Sequence, residues 1–480
     1  LIIGRDREKQ RLNRIYASAE SEFAVIYGRR RIGKTYLIRE FFNKKKCIFF
    51  HVTGAQKESL DKQLLRFSAG LSKTFYDNAP LNITSWEEGF RLLNQQIEKN
   101  SSKKIVVFFD ELPWLATRRS GVLQLLDYYW NHHWSTLKNV ILVACGSSSS
   151  WLIKNIINNK GGLHNRVTCE IRLLPFSLYE TKEFLKYRKI KLTNKHILLL
   201  YMALGGIPYY LKYVEPGLTA DQNIQNIFFN EYSPLKEEFK KLFSSLFNKA
   251  DAYIELIKLV AEKKSGITRA EIEEKVKLST NGGRLTERLK DLCYAGFIEE
   301  KIAWKKKRGE YYRLIDEFCL FQLRWVLPFQ TAKFADNHWI LMNKEQGYKS
   351  WSGYAFEDVC IKHASQIIAA AKIDSAKFIY SWQFIPKKGV VENGAQIDLL
   401  VERSDDAITL FEIKFTNEPF IIDKQYAKNL QNKIDVFKKK TKTEKNLFMV
   451  MVSANGIKET MYSEEMINAV VTLDDLFKSI

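Results

Sequence analysis

Gly28-Arg29-Arg30-Arg31-Ile32-Gly33-Lys34-Thr35 has the spacing G-x-x-x-x-G-K-[ST]. Phe23-Ala24-Val25-Ile26-Tyr27 precedes it as a short buried-strand run. Tyr36-Leu37-Ile38-Arg39-Glu40-Phe41-Phe42 follows it with helical periodicity. A strand, a glycine loop and a helix N-terminus in that order aim backbone N–H groups and a helix dipole at a polyphosphate. Gly28, Arg31, Ile32, Gly33, Lys34, Thr35 and Tyr36 are the expected nucleotide contacts. Lys34 can reach the β- and γ-phosphates of ATP, and the Thr35 hydroxyl can hold Mg²⁺. A plain glycine turn with a solvated lysine would not need both flanking elements.

Downstream, Ile105-Val106-Val107-Phe108-Phe109 is an unbroken apolar run, the pattern of a strand buried on both faces of a parallel sheet. Asp110 and Glu111 follow at its C-terminal end, where open α/β sheets bind their ligands. Asp110 is the expected second Mg²⁺ holder, and Glu111 the residue that orients or activates an attacking water. A third run, Val140 to Cys145, leads into Gly146-Ser147-Ser148-Ser149-Ser150. Ser147 or Ser148 could sense the γ-phosphate there, or cap the helix that begins near Trp151. Arg166, before the strand-like Cys169 to Leu173, has two readings: a finger on a neighbouring subunit's nucleotide, or a contact without catalytic consequence.

These pieces together resemble an AAA+ ATPase of the STAND group, and more narrowly the archaeal-type ATP-binding proteins with a nuclease-like C-terminal domain. Gly4-Arg5-Asp6-Arg7-Glu8 is similar to the group's opening box near the adenine. Gly205-Gly206-Ile207-Pro208 is similar to its Gly-x-Pro element, and the resemblance implies that Pro208 packs on the base. The three consecutive arginines Arg29 to Arg31 depart mildly from the pattern. They either add charge near the phosphates or contact a partner domain. The amphipathic stretches from about Ser177 to Phe247 suit a helical lid over the nucleotide.

From Asp251 the order is helix, helix, helix, hairpin, which is that of a winged helix-turn-helix. Thr268 and Glu271 have capping-box spacing. In the third helix Leu285, Leu289 and Leu292 form one stripe, and Arg284, Arg288 and Lys290 lie off it. Lys305, Lys306, Lys307 and Arg308 fall at the hairpin tip. Arg284, Arg288 and the four wing cations are the expected DNA contacts. The other reading makes this segment a protein-docking module.

The last third carries a helix with Glu357, a strand with Asp398, a strand with Glu412-Ile413-Lys414, and a helix opening at Lys424-Gln425-Tyr426. This order resembles the restriction-endonuclease-like D…E-x-K core. Alternation along a strand puts Glu412 and Lys414 on one face. Asp398 and Glu412 are then expected metal ligands, Glu357 an accessory acid and Lys414 the group that positions water, with Tyr426 or Gln425 bracing the site.

The fold class read from these patterns is α/β: a phosphate-loop ATPase core of AAA+ type over residues 1–175, a helical lid over 176–247, a winged helix over 248–314, and a helical linker with a nuclease-like α/β domain over 315–480. A formal charge of +20 favours a polyanionic partner, so DNA joins ATP and Mg²⁺ among the expected ligands. No apolar run approaches the ~18 residues of a membrane span, which sets aside a membrane partner and a transporter subunit. No signal peptide opens the sequence, and six scattered cysteines without a C-x-x-C pair fit a reducing cytoplasm. A finger arginine would imply a homo-oligomer. Two functions follow: an ATP-driven protein that binds DNA and cuts or grips it, or a nucleotide-dependent signalling switch whose nuclease-like domain is silent and whose winged helix docks on protein. They part on whether DNA is cut.

Overall fold

The computed structural model describes residues 1–479 except 264–265, 277–281, 303, 305–309, 330–336 and 387–392. Five strands, β1 (Glu22–Tyr27), β2 (Ile48–Thr53), β3 (Ile105–Asp110), β4 (Val140–Gly146) and β5 (Cys169–Arg172), pair in the order β2-β3-β4-β1-β5. Every pairing is parallel. Parallel strands need crossover connections, so helices cover both faces and the strands between them read as continuous apolar runs. β3 and β4 are buried along their whole length. Phe23, Val25, Val107 and Phe109 pack to one side with Phe67, Phe90 and Trp130. Ala24, Ile26, Phe108 and Val143 pack to the other with Leu12, Leu37 and Ile38. The registers Tyr27↔Gly146 and Thr53↔Asp110 bring the C-terminal ends of four strands to one edge.

Helices follow that sheet. Leu178–Tyr187 and Ala220–Phe228 start in capping boxes, Ser177 with Glu180 and Thr219 with Gln222. Asn194–Leu204 is buried on all sides from Ile197 onward, as an apolar helix inside a large core must be. Gly205 and Gly206 end it with φ of +70° and +63°. A Cβ on Gly206 would lie 2.3 Å from the Phe176 carbonyl oxygen, so that turn requires glycine.

Three helices, Ala250–Glu262, Arg269–Lys275 and Gly282–Tyr294, then share a small sheet of β6 (Ile267–Thr268), β7 (Ile298–Ile302) and β8 (Glu310–Leu314), ordered β6-β8-β7. The Thr268–Glu271 capping box forms as its spacing predicts. The two-residue β6 escapes sequence reading because it ends on the capping residue itself.

The second large sheet holds β9 (Ala376–Phe384), β10 (Ala395–Arg403) and β11 (Ala407–Lys414). After the short β12 (Phe420–Ile421), it is completed by β13 (Asn446–Ser453) and, past β14 (Ile457–Lys458), by β15 (Ala469–Thr472). Its order is β15-β13-β11-β10-β9. β9, β10 and β11 run antiparallel, while β11, β13 and β15 run parallel. The helix Gln346–Lys362 covers one face, with Phe356 and Val359 in a core shared with Leu399, Phe411 and Ile413. The helix Lys424–Thr441 covers the other, with Leu430 and Phe437 against Leu400, Leu410 and Met449. Each such fully buried side chain contributes about 1.5–3 kcal/mol. One hydrophobic core runs from the first sheet through the middle helices to the inner face of the second sheet. Among the described residues no helix is long and apolar enough to cross a membrane.

Candidate functional site

The phosphate loop leaves β1 at Gly28, whose φ is +143° and where a Cβ would meet the Leu173 carbonyl oxygen at 2.2 Å. Gly33, at φ +90°, opens the helix Lys34–Phe42. Lys34 is buried, and its ammonium donates to the carbonyls of Gly28 at 2.8 Å and Arg29 at 3.0 Å. The loop is thus wrapped around its own lysine. Thr35 Oγ1 donates to Asp110, 3.0 Å from each carboxylate oxygen. Thr53 Oγ1 lies 3.4 Å from Asp110 Oδ2, and His51 stacks on Phe108 with ring centroids 4.7 Å apart. Sequence reading missed His51 and Thr53. Their signal was their position on β2, which ends at the same edge as β3.

Glu111 follows β3 in the left-handed region, at φ +48°. Its Oε2 accepts from the Ser147 amide and hydroxyl, both at 2.9 Å. Of the two roles read for Ser147 and Ser148, capping does not form: the Ser148 side chain makes no capping hydrogen bond to the helix Ser149–Leu152, and Ser147 is turned to Glu111. Arg166 is exposed and precedes β5. β5 begins opposite Ala24, so Arg166 lies toward the far edge of the sheet from Lys34 in the same molecule.

The three arginines take separate partners. Arg29 is fully buried, with Nη1 2.5 Å from Asp316 Oδ2 and its guanidinium 5.2–5.6 Å from the rings of Tyr210, Phe297 and Phe318. Arg30 lies over Trp114, at 5.9 Å. Arg31, at φ +74°, puts Nε 2.9 Å from Glu238 Oε1 and sits 4.3 Å over the Tyr209 ring. Of the two expectations for this triplet, contact with later parts of the chain is what forms for Arg29 and Arg31. The Gly-x-Pro element meets the loop's arginines through Tyr209 and Tyr210, and Pro208 stands half-buried at the first position of its helix. The opening box also reaches the loop: Arg5 Nη2 donates to the Ile32 carbonyl at 3.3 Å, and its guanidinium lies 4.5 Å over Phe176. A cavity of about 550 Å³ opens beside Gly28, lined by Arg5, Phe176, Tyr201 and Tyr294 among others. Its walls combine aromatic rings with a few directed polar groups, the usual make-up of a small-ligand site.

The helix Gly282–Tyr294 packs against Ser149–Leu152, and Arg172 Nη2 donates to the Cys293 carbonyl at 3.1 Å. Arg284 is exposed. Arg288, expected to face DNA, instead lies half-buried over Tyr253 at 6.0 Å. The stripe Leu285-Leu289-Leu292 draws the helix inward, and Arg288 sits at its margin. Lys305, Lys306, Lys307 and Arg308 lie outside the described residues.

At the end of β11, Glu412 and Lys414 do share a face, with Ile413 in the opposite core. The register Leu399↔Phe411 puts Asp398 across from Glu412. Burial first, then neighbouring Asp398, pushes Glu357 up to about 8. The sheet and the helix Gln346–Lys362 therefore bring all four residues together. Tyr426 braces the cluster, its hydroxyl donating to Glu412 Oε1, while Gln425 is exposed. A further residue joins them: Lys433 Nζ donates to Glu412 Oε2 at 2.6 Å. With Lys414 Nζ 2.9 Å from Oε1, both oxygens of Glu412 are occupied by charged donors. The expected metal pair Asp398 and Glu412 does not fit a divalent cation in this arrangement, because such ions need free carboxylate oxygens. Among the described residues no cluster of three or more His, Cys, Asp or Glu side chains could hold a metal.

Residues 3–214 match the family described as an ATPase domain predominantly from Archaea. Over these residues the chain is similar to an archaeal-type ATPase domain. An uncharacterized protein of Methanocaldococcus jannaschii, MJECL04, is 26% identical over 422 residues, covering 86% of this chain and 88% of its own. Among solved structures, the Walker-type ATPase PABY2304 of Pyrococcus abyssi aligns with 19% identity and a TM-score of 0.46, over 67% of this chain and 96% of its own. The Aeropyrum pernix ORC2 protein, in its ADPNP–ADP complexes, aligns with 14% identity and a TM-score of 0.42, over 69% and 95%.

Proposed function

We propose that this chain binds ATP with Mg²⁺ at the edge of its first sheet and hydrolyses it. The observation that carries this reading is the gathering of Lys34, Thr35, Asp110 and Glu111 beneath one glycine loop and one helix N-terminus. Lys34 exchanges its two loop carbonyls for phosphate oxygens. The Thr35 hydroxyl and the Asp110 carboxylate, already in contact, are the donor set for Mg²⁺. When bound, Mg²⁺ would supply neutralisation of phosphate charge. Glu111, steadied by Ser147, orients the water. The test is calorimetric titration of the whole chain with ATP. Lys34→Ala should weaken binding by on the order of 100-fold, about 2.7 kcal/mol. Unchanged affinity would remove the site.

For the rest of the chain, we read a winged helix and a restriction-endonuclease-like domain, both meeting DNA. The net charge of +20 supports a polyanion. The antiparallel β9-β10-β11, the helix Lys424–Thr441 and the parallel β13 support the nuclease-like reading, with Glu357, Asp398, Glu412 and Lys414 at one sheet end. Glu412 is held by Lys414 and Lys433 in this arrangement. Reversing the charges of Lys305 to Arg308 should weaken duplex DNA binding and flatten its dependence on salt. An unaltered salt slope would turn that segment into a docking module.

One observation favours the second reading, a nucleotide-dependent switch. The third helix of the winged-helix segment lies on Ser149–Leu152, two residues past Ser147, and Arg29 and Arg31 are tied to Asp316 and Glu238. Nucleotide at the loop and docking of the winged-helix segment would then be linked through shared contacts. Plasmid incubated with Mg²⁺ or Mn²⁺ separates the readings: cutting lost in Asp398→Ala supports the nuclease, and intact plasmid under either metal supports the switch.

A further inference from the structure

The helix Lys424–Thr441 lies on the second sheet with Leu430 and Phe437 buried beneath it. Tyr426 and Lys433 fall on that same side, four residues before Leu430 and three after it. Both reach Glu412, which is only 2% exposed. Lys433 is itself mostly covered, its side chain 17% exposed, so its amine is held at the carboxylate and is not simply passing it in water. Glu412 consequently meets two ammonium groups and one phenol, and among the described residues Lys433 alone is on Oε2.

A divalent ion and a lysine ammonium make opposite use of the same carboxylate oxygen. The ion needs the lone pairs that the ammonium engages, and two cations a few ångströms apart repel strongly where water is scarce. Asp398, by contrast, accepts from the Gln396 side-chain amide at 2.7 Å, a neutral partner that gives way readily. On the Oε2 side of Glu412 the obstacle to metal is therefore one side chain on a helix, while Asp398 lies across from Glu412 on the neighbouring strand.

We propose that Lys433 is a tethered cation that occupies the Oε2 side of Glu412 and competes with divalent metal there, so that the acid cluster takes metal only when Lys433 withdraws. This rests on the reading of the C-terminal region as nuclease-like. The ligand class is a hard divalent cation, and Lys433 is a positioning residue for Glu412.

The experiment uses the full chain without nucleotide and follows Mn²⁺ binding by electron paramagnetic resonance. Wild type, Lys433→Met, Lys433→Arg and the double variant Lys433→Met with Glu412→Gln are compared. Lys433→Met leaves Lys414 and Tyr426 on Glu412, so the carboxylate stays partnered and the fold is retained, as thermal melting will verify. It should bind Mn²⁺ at least about tenfold more tightly than wild type. Lys433→Arg, which keeps the charge, should stay weak, and the double variant should lose the gain. Equal, Glu412-dependent affinity in wild type and Lys433→Met would overturn the competition while leaving the nuclease-like reading standing. No Glu412-dependent Mn²⁺ site in any variant, even at millimolar metal, would overturn both.

Discussion

The two acid sites of this molecule stand at the ends of two sheets and are held by opposite kinds of partner. At the first sheet, Asp110 is met by the hydroxyls of Thr35 and Thr53, Glu111 by the amide and hydroxyl of Ser147, and Lys34 by two carbonyls. Every one of these partners is neutral. At the second sheet, Glu412 is met by Lys414 and Lys433. A neutral hydrogen bond contributes a net 0.5–1.5 kcal/mol or so and can be exchanged for a stronger, charge-assisted one when a ligand arrives. A charged pair in a covered place has already made that exchange internally. On the proposed function the first site is therefore poised for a polyphosphate and its ion, whereas the second is filled by its own side chains.

The largest test of this contrast lies behind the phosphate loop, where the first region has a charged pair of its own. Arg29 and Asp316 are each only 2% exposed in their side chains, and three rings surround the guanidinium. Burial lowers the guanidinium's affinity for its proton, while Asp316 together with Tyr210, Cys319 and Glu317 more than restores it. Asp316→Ala strands that charge and also removes the carboxylate that caps Glu317–Phe321 through the Cys319 amide. The expected loss is about 3–5 kcal/mol in denaturant unfolding. Lys433→Met, which leaves Glu412 with two partners, should cost far less. Similar losses for the two variants would erase the distinction between a structural pair and a displaceable one.

Much of the first site was legible because its chemistry is written in consecutive residues. Glycine loop, lysine and threonine are adjacent, and Asp110-Glu111 end an unmistakable apolar strand. The partners of Arg29 and Arg31 were not legible, since Asp316 and Glu238 lie in segments that meet the loop only after the middle helices pack. Glu357, Asp398, Glu412 and Lys414 could be gathered by order and alternation. Lys433 could not, for it sits in a helix with lysines at 424, 428, 433, 438, 439 and 440, where one more reads as solvated. Its signal was its spacing from Tyr426 and Leu430 on the buried side of the helix. Arg288 erred the other way: a cation beside an apolar stripe was read as outward, and packing turned it over Tyr253.

A middle-sized effect comes from the seam between the regions. His363 is buried at the end of the helix Gln346–Lys362; its Nε2 accepts from the Leu178 amide at 2.9 Å and its Nδ1 lies 2.7 Å from the Val359 carbonyl. Burial lowers its pKa from 6.5 to about 4. The folded state therefore binds fewer protons than the unfolded state between those values. The stabilisation is complete above pH 6.5 and is lost as pH falls toward 4, by about 3 kcal/mol in all. His363→Gln, which can keep both hydrogen bonds without titrating, should flatten the melting temperature across that window. A wild-type melting temperature constant from pH 7 to 4 would show that this seam does not depend on a neutral imidazole.

The smallest effect asks how much one neutral partner matters. Ser147→Ala removes the hydroxyl from Glu111 Oε2 but leaves the backbone amide at 2.9 Å, so the carboxylate keeps its place and loses part of its orientation. Lys34, Thr35 and Asp110 are untouched, and ATP affinity should stay within about twofold. A single hydrogen bond of about 1 kcal/mol corresponds to roughly a fivefold fall in kcat for ATP hydrolysis. A fall in affinity with kcat unchanged would place Ser147 on the nucleotide instead of on Glu111. A rise in kcat would mean that Ser147 holds Glu111 away from the attacking water, making the serine a brake. In that case neutral partners too can keep a site at rest, and the contrast between the two sheet ends would be one of degree.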